Sequence, residues 1–170
     1  MNADGVQDVH SLSPRGWQRA GALVPFFRQA WAAQIETPDA VYASKVGDTE
    51  VIAEGHDISQ SLRPQQTVTP LVDALLPGRG LQTPYAVGAE SELVQTLEAT
   101  ESGVVLVAWE HNHIPDIAKA FSSEAPATWP GSRFDDVWVF TRSPDGTYAF
   151  AHVAQSLLSG DLAAGSSGSS

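Results

Sequence analysis

Cysteine is absent from all 170 residues, which excludes disulfides and thiolate-held zinc and makes the reducing cytoplasm the expected compartment. Positive charge is scarce: nine Lys and Arg stand against twenty Asp and Glu, a net charge of -11. Such an excess repels a nucleic-acid duplex or an anionic membrane, so neither is an expected partner. It leaves room for a small phosphorylated ligand, because a pocket can be locally positive. Long apolar runs are also missing. The longest, Val104 to Trp109, falls far short of the roughly 20 residues that span a bilayer. The opening Met1-Asn2-Ala3-Asp4-Gly5 lacks the basic-then-apolar order of a signal peptide.

What is present suits one globular domain. A length of 170 residues and 42% apolar composition can fill a single core. Residues 1–12 are polar and irregular. Ser13-Pro14 predicts a helix start, with Ser13 as cap and Pro14 at the first position, where a missing N–H costs nothing. Trp17, Ala20, Val24 and Phe27 then form one apolar stripe, and Pro25 predicts a kink or an end near Val24. Trp17 and Trp109 read as core residues, and Trp129 and Trp138 as packing on a hairpin.

Asp39 to Ser44 (DAVYAS) reads as a short buried strand, residues 45–62 as a polar loop, and Thr69-Pro70 as the start of a second helix that Pro77-Gly78 closes. Glu90 to Ala99 is a third helix. Val104 to Trp109 is apolar on both faces, as a central strand of a covered parallel sheet is. Ile114, Ile117, Ala118 and Phe121 mark a helix behind it. Asp136 to Phe140 and Thr147 to Val153 flank the turn Ser143-Pro144-Asp145-Gly146 and predict an antiparallel hairpin at a sheet edge. The expected fold is a three-layer α/β/α sandwich with a mostly parallel sheet over residues 1–162, followed by a disordered tail at 163–170.

Open α/β sheets bind ligands beyond the carboxyl ends of their strands. DAVYAS ends at Ser44, followed by Lys45, and the apolar strand ends at Glu110-His111-Asn112-His113. Arg63 lies between them in sequence. An Arg fork matches two phosphate oxygens, and a strand-end His donates to a phosphoryl oxygen or moves protons. Taken singly, each residue has an ordinary reading: Arg63 as a surface cation, Ser44 as a hydroxyl that bonds the backbone, Lys45 as solvated, His56 as a surface loop residue.

Together, four segments resemble the histidine phosphatase (phosphoglycerate mutase-like) superfamily. Leu12 to Ala20 (LSPRGWQRA) is similar to the L-S/T-x-x-G-x-x-Q/R-A helix start of that family. DAVYAS is similar to its second strand, Arg63 to Thr67 (RPQQT) to its R-x-x-Q-T segment, and VVLVAWEH to the strand that ends in its second active-site His. The resemblance runs from about Leu12 to about Asp161 and needs no cofactor. It implies phosphomonoester binding and hydrolysis, with His111 as the second His, Arg63 as a phosphate ligand and Ser44 lining the pocket. Glu110 and Glu54 are candidates for the general acid. The implied ligand is a small phosphorylated molecule or a phosphoprotein.

One departure is large. The family's nucleophile is the His of R-H-G or R-H-A on its first strand, and no Arg-His pair occurs in this sequence. His10 precedes the first helix in a polar stretch and is not expected to replace it. Hydrolysis is therefore expected to be impaired, leaving a non-catalytic phospho-ligand or regulatory module as the alternative. Without that strand, Val104 to Trp109 is expected to expose an unpaired edge and to promote self-association. A further alternative is a metal-dependent hydrolase: His111-Asn112-His113-Ile114-Pro115-Asp116 faintly resembles the H-x-H-x-D-H motif of metallo-β-lactamases, with Asp116 one residue late.

Overall fold

The computed structural model describes residues 10–29, 34–100 and 102–161. The stretch 1–9 and the expected tail at 163–170 lie outside them. The chain is a mixed α/β protein.

Helix α1 spans Pro14–Arg28, and its start is set as the sequence predicts: the Gly16 N–H donates to Ser13 Oγ at 3.2 Å. It does not end near Val24. Pro25 removes one donor to the Gly21 carbonyl, but the last turn closes through Gln29 N–H to the Pro25 carbonyl at 3.1 Å. Its buried face is Ala20, Leu23, Phe26 and Phe27. Trp17, expected in the core, is 45% exposed, because the buried stripe is rotated toward Leu23 and Phe26.

Strand β1 (Ala40–Ala43) pairs in parallel with β4 (Val105–Ala108), Ala40 facing Val105 and Ala43 facing Ala108. On the other side of β1, parallel bridges join Tyr42 to Gln82 and Lys45 to Ala86. The loop after β1 folds back as a small hairpin, β2 (Ile52–Ala53) and β3 (His56–Asp57), where the sequence suggested only loop. Glu54 and Gly55 make its turn with φ of 52° and 78°.

Helix α2 runs Arg63–Leu75 and so begins six residues before Thr69. Pro64 occupies the first turn, where it is harmless. Pro70 lies inside, and the hydroxyls of Thr67 and Thr69 donate to the carbonyls of Arg63 and Gln65 at 2.8 Å each. Helices α3 (Glu90–Glu98) and α4 (Ile114–Phe121) bracket β4 in sequence, as expected.

Alternate residues of the parallel strands feed two clusters. Val41, Ala43, Leu106 and Ala108 join the α1 and α2 residues Leu23, Phe26, Phe27, Val68, Leu71 and Val72. Tyr42, Val107 and Trp109 join Leu93 of α3 and Ile117 of α4. This period-two division is what a strand covered on both faces requires.

Strands β5 (Asp136–Arg142) and β6 (Tyr148–Ala154) form the expected hairpin. Ser143 and Thr147 close its turn, and Gly146 takes φ 86°, a left-handed value that suits glycine. Trp129 stacks on Trp138 at 4.8 Å, and Phe121 of α4 meets Tyr148 at 5.1 Å. The hairpin is a separate two-stranded sheet rather than the edge of the parallel one. Its Val137, Val139 and Val153 nevertheless pack against the first cluster. Consequently β4 is not central: among the described residues only β1 pairs with it, and all four of its residues are half-buried.

A clasp holds the end of the described chain to α1. The Asp161 carboxylate takes both forks of the Arg19 guanidinium and the N–H groups of Leu157 and Leu158 at 2.9 Å. No described helix is long and apolar enough to cross a membrane.

Candidate functional site

The carboxyl ends of β1 and β4 lie side by side. Ser44 follows β1, is 2% exposed, and donates its N–H to the Ala108 carbonyl at 3.3 Å. Glu110 and His111 follow β4, two and three residues past that bond. Beyond β4 the chain turns sharply, with the N–H of His113 donating to the Glu110 carbonyl at 3.0 Å before α4 begins.

His111 is the best-defined member. Its Nδ1 lies 2.7 Å from Glu110 Oε1, and its Nε2 lies 3.7 Å from Glu54 Oε1 at the β2–β3 turn. Glu110 is buried, at 8% exposure. Asn112 secures it, donating its N–H to Oε2 at 2.9 Å and its side-chain amide to Oε1 at 3.3 Å. Both carboxylates considered for the general acid therefore meet His111, in different ways. Glu110 is held inward as an acceptor, whereas Glu54 is exposed on the side of Nε2.

The start of α2 lies against the end of β1. Gln65 donates to the Ser44 carbonyl at 3.0 Å, fixing the helix to the end of β1. Arg63 opens the helix, and its Nε donates to the Ser11 carbonyl at 3.3 Å. Gln66 accepts from the Leu12 N–H at 2.7 Å, and the Leu62 N–H donates to the His10 carbonyl at 2.8 Å. Arg63 is thus directed to the segment preceding α1, and His111 to the two carboxylates. Ser44 is joined to the α2 start through Gln65. Asp57, on β3, has its carboxyl held below the usual range by the hydrogen bonds of Ser59, with help from the Val51 N–H and the charge of His10. His56 is exposed beside it, and Lys45 is exposed as expected.

The three residues of the metal alternative are directed to separate partners. His113 Nδ1 pairs with Glu90 at 3.1 Å, Asp116 pairs with Lys119 at 3.3 Å, and His111 turns to Glu110. Three ligands must converge on one point, and among the described residues no group of three or more suitable side chains does so.

Gln65, Gln66 and Asn112 were missed from the sequence. Amides carry no charge signal, although Asn112 directly follows the acid–His pair and Gln65-Gln66 directly follow Arg63-Pro64. Two open depressions, of about 480 and 330 Å3, lie elsewhere, around Pro77 and Arg79 near Asp39 at the start of β1. Arg79 there donates to the Asp39 carbonyl at 2.7 Å.

No protein-family model matches the chain, and no curated protein matches it.

Proposed function

We propose that this chain is a histidine-phosphatase-like protein that binds a phosphomonoester beyond the carboxyl ends of β1 and β4. The carrying observation is His111, clamped by buried Glu110 at the end of β4 with Nε2 3.7 Å from the exposed Glu54 carboxylate. His111 would meet a phosphoryl oxygen, and Arg63 would contribute its guanidinium fork as the ligand draws the α2 start and His111 together. Ser44 would line the floor. The clusters on alternate faces of β1 and β4 support a three-layer α/β/α arrangement. The ligand class is a small phosphorylated molecule or a phosphoprotein.

Covalent phosphatase chemistry needs a nucleophile. The sequence holds no Arg-His pair, so binding without appreciable turnover is the expected behaviour. A non-catalytic phospho-ligand module is the second reading, favoured by the same lack.

An aryl phosphate assay and direct binding of phenyl phosphate test this together. Wild-type protein is expected to bind without measurable hydrolysis. His111→Ala and Arg63→Ala are each expected to weaken binding about tenfold, the size of one charge-assisted contact. Turnover abolished by both substitutions would instead reveal a nucleophile elsewhere in the chain. Binding indifferent to both would remove this site from consideration.

A further inference from the structure

We propose that Glu110 is a positioning residue that locks neutral His111 in its Nδ1–H tautomer, so that a phosphate ester engages Nε2 only together with a proton. The inference rests on the phosphate-site reading above and adds its proton stoichiometry.

Two amide donors of Asn112 point at the Glu110 oxygens. A carboxyl receiving them on both oxygens is an acceptor, so the proton in the 2.7 Å contact belongs to Nδ1. A neutral imidazole carries one N–H, and Nε2 is left with a lone pair. A lone pair repels a phosphoryl oxygen. Above pH of about 7 a phosphomonoester is a dianion with no proton to share, since its second ionisation lies near about 6. Nε2 must then take one proton from solvent. The resulting imidazolium donates through Nδ1 to Glu110 and through Nε2 to the ester, and no proton is released elsewhere.

The charged groups within ion-pair distance of the ring, among the described residues, are Glu110 after β4 and Glu54 at the β2–β3 turn. Glu54 is 68% exposed, so its hairpin tip can yield the position beside Nε2 to an incoming anion.

Nitrogen-15 NMR of His111 at pH 8, assigned with His111→Asn, tests the lock on the unliganded protein. The Nδ1–H form is expected in the wild type, and a shift toward Nε2–H in Glu110→Gln. An Nε2–H wild type overturns the proposal without any variant having to fold. Calorimetry with phenyl phosphate at pH 8, in buffers of different ionisation enthalpy, tests the coupling. Uptake approaching one proton per ligand is expected, with affinity falling as pH rises wherever that uptake is measured. Glu110→Gln is expected to bind with less uptake, because Nε2–H can then donate directly. Proton-neutral binding that still needs His111 overturns the coupling alone. Absence of any His111-dependent binding overturns the phosphate-site reading and the coupling with it, while the tautomer measurement still decides the role of Glu110.

Discussion

Asp161 concentrates more polar contacts than any strand-end residue described above. The Arg19 guanidinium, with the N–H groups of Leu157 and Leu158, holds its carboxyl at about 2, against an ordinary 3.8. A folded value below the unfolded one stabilises the fold at pH above the unfolded value, and that contribution fades as pH falls from about 4 toward 2. The shift corresponds to about 2 kcal/mol. Asp161→Asn is expected to lower urea-unfolding stability by about that much at pH 7 and by much less at pH 2.5; an equal loss at both pH values would show that packing, not charge, holds the clasp. Trp17 teaches the opposite lesson about residue type. Its place in an apolar stripe with Ala20, Val24 and Phe27 suggested burial, yet the buried face is Ala20, Leu23, Phe26 and Phe27, and Trp17 lies beside it. Trp17→Ala is therefore expected to cost well under Leu71→Ala, for which a fully buried leucine predicts about 2–5 kcal/mol by chemical denaturation.

Elements were legible where the signal is local. The Ser13-Pro14 start and the Ser143–Gly146 turn depend on a few adjacent residues, and both formed as read. Gly146→Ala is expected to cost about 1 kcal/mol at φ 86°, with Gly131→Ala, which has open space and no positive φ, as the near-neutral control. Equal effects of the two in thermal unfolding would show that the turn tolerates a Cβ. Elements were illegible where tertiary contact overrides propensity. Pro25 and Pro70 each suggested a boundary, but both helices continue because α1 and α2 bury their faces against one another and the parallel strands. The β2–β3 hairpin has two residues per strand, too few for an alternation to show. At the site, His111, Arg63 and Ser44 were legible as polar groups at element ends. That Glu110 orients His111, and that Gln65 ties Ser44 to α2, depends on side-chain direction and on contacts 21 residues apart, which no pattern encodes.

For the whole molecule, the edge of β4 that no described strand shares and the net charge of -11 act against each other. An apolar strand with free N–H and C=O groups recruits another strand, while like charge keeps copies apart. Added salt screens the repulsion and leaves the edge unchanged. Sedimentation velocity is expected to show association that rises with protein and salt concentration; a single monomeric species under every condition would remove the edge as an interface. The clasp between Arg19 and Asp161 joins positions 142 residues apart. Closing so large a loop is entropically costly until the intervening core has condensed, so the pair belongs to the last stage of folding. Its loss should therefore accelerate unfolding and leave the refolding rate nearly untouched, so that resistance to slow irreversible inactivation falls while the speed of folding does not.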